Sequence, residues 1–265
     1  MKKYFLLLLM CIMLVTGIVA ISHNNKEKIL EETGSMERSS SEEFWLNSGA
    51  YIYQKGTLMW SIQNKIPEEN SRWRNAYLKS NAVDSDNGNH PQNILRLITR
   101  KKWENFQQQV YFKINKDNLS NSSRRTGSNG LLLFTHYEDS DNLYYAGIRV
   151  DGDAVIKKKM NGIYYTLNEK KIFEGNYDRT NNPNLLPKNT WIGIKTETIN
   201  NPDGTVTIRL YMDKGKIGYW VLLLEATDQE TIGGNSIKDG YAGIRTDFMD
   251  VEFDNYKFKE INSDI

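Results

Sequence analysis

The sequence predicts an all-β protein built as a two-sheet antiparallel sandwich, and three observations carry that prediction. From Phe44 onward, short runs rich in Tyr, Ile, Val, Leu and Phe alternate apolar with polar positions. Asn, Asp and Gly separate those runs at the spacing of hairpin-connected strands. After the N-terminal segment, no stretch keeps a helical period for more than a turn or two.

The elements follow in order. Lys2 and Lys3 precede an uncharged run from Tyr4 to Ile21, close to the small residues Ala20 and Ser22, so residues 1–22 read as an apolar export helix. The run also approaches the lower length of a membrane span, so the same segment can serve as an anchor through residues 4–21. Either way the remainder is expected outside the cytoplasm, secreted or in the cell envelope. Residues 23–43 are polar and charged, with Ser39-Ser40-Ser41, and read as a flexible linker because no apolar period offsets the entropy of ordering them. Residues 44–265 are long enough for one sandwich domain.

Within that domain the expected strands are Ile94–Thr99, Phe106–Ile114, Gly130–Tyr137, Leu143–Val150, Ala154–Met160, Ile163–Leu167, Trp191–Thr198, Thr205–Met212, Trp220–Ala226, Gly240–Thr246 and Met249–Phe258. In the run from Val206 to Tyr211, Val206, Ile208 and Leu210 share one face, and Thr207, Arg209 and Tyr211 the other. Asp151-Gly152, Asn161-Gly162 and Asp203-Gly204 supply the positive φ of tight hairpins, which makes Leu143–Leu167 a three-stranded meander. The turn-rich stretch 175–189 reads as a surface loop.

Composition excludes several functions. The 34 basic and 33 acidic side chains nearly cancel, which argues against a nucleic-acid partner. The single cysteine, Cys11, lies in the N-terminal apolar run, so the folded part has no disulfide, thiolate metal site or cysteine nucleophile.

Two segments repeat one pentapeptide, Tyr145-Ala146-Gly147-Ile148-Arg149 and Tyr241-Ala242-Gly243-Ile244-Arg245. With Trp191-Ile192-Gly193-Ile194-Lys195 between them and Phe253-Asp254-Asn255-Tyr256 at the end, the chain resembles the concanavalin A-like lectin/glucanase superfamily. Over most of Phe44 to Ile261 the order of motifs is similar to laminin-G-like and family-16-like domains, including those named 3-keto-disaccharide hydrolase. The resemblance implies a jelly roll of two curved sheets, the concave one offering a sugar-binding face. Gly147 and Gly243 suit such curvature, since strand glycines mark bends and close approaches.

Candidate binding residues follow from strand alternation. If Tyr144, Ala146, Ile148 and Val150 point inward, then Tyr145 and Arg149 share the opposite face, and Lys157 and Lys159 share one side of the next strand. Tyr145, Arg149, Lys157 and Lys159, joined by Arg245, would offer cationic donors and a stacking ring to an acidic or richly hydroxylated sugar. Trp73, between Arg72 and Arg74 in a polar stretch, is a further stacking candidate.

Catalytic patterns are also present. Asp250, Glu252 and Asp254 alternate along one strand at about 6.7 Å intervals, a spacing open to paired-carboxylate hydrolysis, although in reversed order relative to family-16 glucanases. His136, Tyr137, Arg96, Gln109 and Tyr145 are of the types that polysaccharide lyases use. No cofactor is expected, apart from a structural calcium that the resemblance places near Asp254. The sequence thus points first to an exported binder of a polysaccharide or oligosaccharide, with a glycoside hydrolase or polysaccharide lyase as the alternative and a surface adhesion protein as the next.

Overall fold

The computed structural model describes residues 27–262. Its strands are β1 (Lys28–Glu31), β2 (Phe44–Ser48), β3 (Tyr51–Lys55), β4 (Leu58–Ser61), β5 (Ile94–Trp103), β6 (Phe106–Asp117), β7 (Gly130–Tyr137), β8 (Leu143–Arg149), β9 (Asp153–Met160), β10 (Ile163–Lys171), β11 (Trp191–Asn200), β12 (Val206–Lys214), β13 (Val221–Asp228), β14 (Gly240–Asp247) and β15 (Met249–Glu260). The helix α1 spans Ser71–Ser80. One sheet has eight strands in the order β1-β3-β4-β15-β6-β11-β12-β13, and the other has seven in the order β10-β9-β8-β7-β14-β5-β2. Neighbouring strands in both sheets pair antiparallel.

Period-two patterning explains why the layers stack. Tyr144, Ala146 and Ile148 of β8, Ile208 and Leu210 of β12, and Val251 and Phe253 of β15 meet in one core between the sheets. Each large apolar side chain buried there stabilises the fold by about 1.5–3 kcal/mol. The alternate residues of the seven-stranded sheet form a second apolar cluster on its outer face, containing Leu132, Phe134, Leu143, Tyr145 and Val155. β7 is therefore buried along its whole length. The β9–β10 hairpin turns on Asn161 and Gly162, at φ of 50° and 82°, the pair of positive values that a type I′ turn requires.

Two expectations need correction. The described part of the expected linker is docked rather than free, because β1 pairs with β3 and places Leu30 in the core. Beyond it the Glu32 carboxylate accepts hydrogen bonds from the Ala50 N–H (3.0 Å) and the Tyr77 hydroxyl, and Trp45 Nε1 donates to Thr33 O (3.0 Å). Ladder bonds and one buried leucine give this polar segment the order that its composition conceals. The second correction is α1, which no apolar period announced. Trp73 and Tyr77 stand four residues apart on one helical face and pack with Tyr51, Ile62 and Ile66, so two aromatic anchors replace a full stripe.

The export or anchor segment 1–22 lies outside the described residues. Among the described residues, no helix is long and apolar enough to cross a membrane.

Candidate functional site

Strand order decides which outer-face residues meet. β7 lies between β8 and β14, so the two pentapeptide strands run parallel with one strand between them. Register sets Gly147 opposite Leu132, Leu132 opposite Arg245, and Arg245 opposite Arg96. The adjacent row on the same face runs Gly243, Phe134, Tyr145, Lys157. A side chain at Gly147 is impossible without backbone movement, since its Cβ would lie 2.2 Å from Leu131 O. The outer face is thereby lowered between Leu132 and Val155, the two neighbours of Gly147 across the sheet.

A cavity of about 520 Å³ lies against this face. The sheet contributes Arg96, Leu132, Tyr145, Lys157, Tyr164, Arg245 and Asp247 among others, and Asn81, Asp84, Arg124 and Asn129 are among the remaining lining residues. Four cationic side chains stand against two carboxylates there, leaving the cavity positive.

Both carboxylates are occupied. Arg245 Nε donates to Asp247 Oδ1 (3.0 Å) and Oδ2 (2.9 Å), and Arg124 Nη1 lies 2.7 Å from Asp84 Oδ2. Burial disfavours the Arg245 charge, but the Asp247 carboxylate and Tyr164 outweigh it and raise its pKa. Arg96 and Lys157 differ: among the described residues neither has an ion-pair partner or a side-chain hydrogen bond. Burial and the neighbouring Arg245 lower the Arg96 pKa, while burial and Arg149 lower that of Lys157. Tyr145 is 5% exposed, packs edge-on to Tyr164 with centroids 6.0 Å apart, and has its hydroxyl pKa raised by burial.

The structure thus brings together three of the expected site residues: Tyr145, Lys157 and Arg245. Arg149 shares their face but is held by Asp151, by Glu169 at 3.7 Å and by Gly127 O at 3.5 Å, outside the cavity lining. Lys159 donates to Ser140 O (2.7 Å) and Asp141 Oδ1 (3.2 Å), with its ammonium 4.9 Å from the Tyr164 ring centre. Trp73 is not a platform in this cavity; it packs from α1 with Tyr51, Ile62 and Ile66, under the Arg72 guanidinium at 5.4 Å.

His136 and the acidic series resolve into structural bonds, whereas Arg96 and Tyr145 of the lyase-type set line the cavity. His136 is fully buried, its ring nitrogens 2.6 Å from Ile237 O and 2.7 Å from Glu104 O, between Phe106 and Tyr144. Asp250 accepts from Asn64 N (2.6 Å), Gln92 Nε2 (2.8 Å) and Asn118 Nδ2 (2.8 Å), and Glu252 pairs with Lys113 at 2.7 Å. Asp254 is bound by Lys216 and by the Asn255 N–H at 2.7 Å. Burial would raise its pKa, but hydrogen bonds from Lys216 and Thr57 hold it below the ordinary value. Among the described residues, no group of three or more His, Cys, Asp or Glu could hold a metal ion.

Sequence reasoning missed Asp247, Tyr164, Arg124, Asp84, Asn81 and Asn129. Two of these had a signal. The repeat extends to Arg-x-Asp in both copies, which pairs Asp151 with Arg149 and Asp247 with Arg245. The Asn161-Gly162 turn fixes Tyr164 opposite Lys159. Arg124 and Asp84 lie on loops, where no period reports direction.

Fold and site define an antiparallel β-sandwich with a cation-lined cavity on one outer sheet face. The chain matches no protein family and no curated protein. Among solved structures it is similar to a carbohydrate-binding module from Bacillus subtilis, at 16% identity and TM-score 0.45 over 63% of this chain and 83% of that one. A Bacillus subtilis protein of unknown function with a galectin-like fold gives 10% identity and TM-score 0.47, covering 82% and 89%. The exoplasmic/lumenal domain of VIP36 in its calcium-bound form gives 9% and 0.46, covering 88% and 90%. At these values the likeness concerns layout and not activity.

Proposed function

We propose that this protein is an exported, concanavalin A-like jelly-roll sandwich that holds a carbohydrate in the cavity on the outer face of its seven-stranded sheet. The observation that carries this reading is the convergence of Tyr145, Lys157 and Arg245 on that single cavity. Its volume of about 520 Å³ falls in the range of small-ligand sites, roughly 300–1,000 Å³. A sugar ring presents CH faces and hydroxyls together, which Leu132 and Tyr164 on one hand and the cationic donors on the other complement. Binding is favoured over catalysis because Asp84 and Asp247 are tied to arginines and the Tyr145 hydroxyl is pushed away from ionisation. Export, to the medium or the envelope with anchoring through residues 4–21, rests on the N-terminal pattern.

A glycan array and affinity electrophoresis on the full chain test the reading. The expected result is retention by at least one polymer, weakened about tenfold by Lys157→Ala, with no sugar released. Released sugar or unsaturated ends would replace binding with hydrolysis or elimination, and retention by no glycan would overturn the proposal.

A second reading, surface adhesion to a protein, is favoured by one feature. Ile217, Tyr219, Val221 and Leu222 are all exposed in and beside the start of β13. Capture of a protein ligand that Lys157→Ala leaves unchanged would support it.

A further inference from the structure

Resting on the glycan reading, we infer that the cavity selects a polyanionic glycan, with charged groups on more than one sugar, lying across the strands from Arg96 to Lys157. Three observations carry this. First, Arg96 and Lys157 are the cavity cations without a protein partner among the described residues, while Arg124 and Arg245 are neutralised by Asp84 and Asp247. Asp247 directs both carboxylate oxygens to Arg245 Nε, so it acts on the cross-strand Arg96 without pairing with it, and the adjacent Arg245 charge opposes Arg96 more strongly. A partly desolvated cation facing a like charge is completed by an external anion.

Second, the two free cations stand on β5 and β9, separated by β14, β7 and β8. Four strand spacings place their backbones about 19 Å apart. Side chains stand roughly perpendicular to a sheet, so two cations rooted that far apart meet separate anionic groups along a glycan lying across the strands.

Third, the sheet floor between them offers charge and apolar surface, with Arg245 next to Arg96, and leaves the neutral hydroxyl-reading groups Asn81 and Asn129 to the loops. Leu132 and the side-chain-free Gly147 occupy the middle of the row, and the Tyr145 and Tyr164 rings stand beside Lys157. The lowered Arg96 and Lys157 pKa values agree with this picture, since burial and the neighbouring Arg245 and Arg149 outweigh Asp247 at the first and Glu169 and Asp151 at the second.

The test uses the full chain in titration calorimetry against polygalacturonate, its methyl ester, dextran sulfate and dextran, with galacturonate and trigalacturonate as short probes. The expected result is binding of polygalacturonate or dextran sulfate, at least about tenfold weaker binding of the methyl ester and of dextran, and trigalacturonate at least about tenfold tighter than galacturonate. Preference between the two polyanions identifies the anion as carboxylate or sulfate ester. Arg96→Gln and Lys157→Gln should each weaken the polyanion about tenfold, with thermal unfolding confirming that both variants fold. Equal binding of the methyl ester or dextran would overturn the anionic selectivity while leaving the glycan reading standing. Retention of none of these polymers, nor of any glycan on the array, would overturn both.

Discussion

The two Tyr-Ala-Gly-Ile-Arg segments share a sequence and bury their Ala-Gly-Ile alike, yet only one of their arginines reaches the cavity. In both, the isoleucine enters the inter-sheet core, and the arginine pairs with an aspartate two residues on. The difference is one of stagger. Register puts Arg245 level with Gly147, so Arg149 lies one same-face step nearer the β8–β9 turn, about 6.7 Å further along. There Asp151, Glu169 and Gly127 O enclose it. The tyrosines diverge too, Tyr145 being buried beside Tyr164 and Tyr241 standing next to Lys102. A strand's own residues choose its faces, and the adjacent strands choose what each face does.

Lys157 and Lys158 repeat the contrast within β9. Lys157 faces the cavity without an ion-pair partner among the described residues, whereas Lys158 is fully buried, 2.8 Å from Asp228 Oδ2 and donating to Gly234 O at 2.6 Å. Lys158→Ala should therefore have the largest effect on folding, about 3–5 kcal/mol, because it leaves Asp228 buried without its counter-ion. Lys157→Ala should stay within about 0.5 kcal/mol of the parent in the same urea titration. Similar losses in both variants would break the comparison.

Gly147→Ala comes next, at about 1–3 kcal/mol and a lowered Tm, because the new methyl meets backbone at 2.2 Å. Gly243→Ala should cost less, since its nearest contact is 2.7 Å and the next is the Ile98 Cδ1 at 2.9 Å, a side-chain end that can move. The reverse order would show that the trough between Leu132 and Val155 is not held by backbone approach.

The arginines themselves sharpen the comparison further. Arg245→Lys keeps a charge for Asp247 but loses the two-oxygen contact of Nε, and should weaken ligand binding about fivefold by calorimetry. Arg149→Lys should leave that affinity unchanged within about twofold. The smallest effect concerns acid. Burial acts to raise the Asp254 pKa, but Lys216 and Thr57 depress it, so its folded value lies below its unfolded one. Its stabilisation is complete above the ordinary carboxylate range and is lost as pH falls through the folded value, below about pH 4. Asp254→Asn should remove about 0.5–1 kcal/mol at neutral pH, with the difference from the parent vanishing in acid.

Much of the sandwich was legible because strands such as β12 and β13 alternate in period two, while β7 and β8 stand out as apolar runs bounded by turn residues. β7, β8 and β14 end within a residue of their expected bounds, and β5 runs on to Trp103 because paired edges extend beyond the apolar run. β1 to β4 and α1 were not placed from the sequence, since strands of four or five residues, and two aromatics amid charged residues, carry too little period to stand out. The site was half legible for a related reason. Alternation places Tyr145 and Lys157 on one face, but whether a cation is free depends on long-range partners: Asp151 captures Arg149, and Ser140 O and Asp141 capture Lys159. His136 and Asp250 looked chemical for the same reason and prove to be buried hydrogen-bonding groups.

Side-chain-resolved NMR titration of the full chain with trigalacturonate reports whether ligand sits on the outer face of the seven-stranded sheet. Shifts should concentrate on Arg96, Tyr145, Lys157, Tyr164 and Arg245, with Arg149 and Trp73 unmoved. Shifts confined instead to the aromatic cleft of Phe44, Trp103, Tyr256 and Phe258, a separate cavity of about 510 Å³, would contradict it.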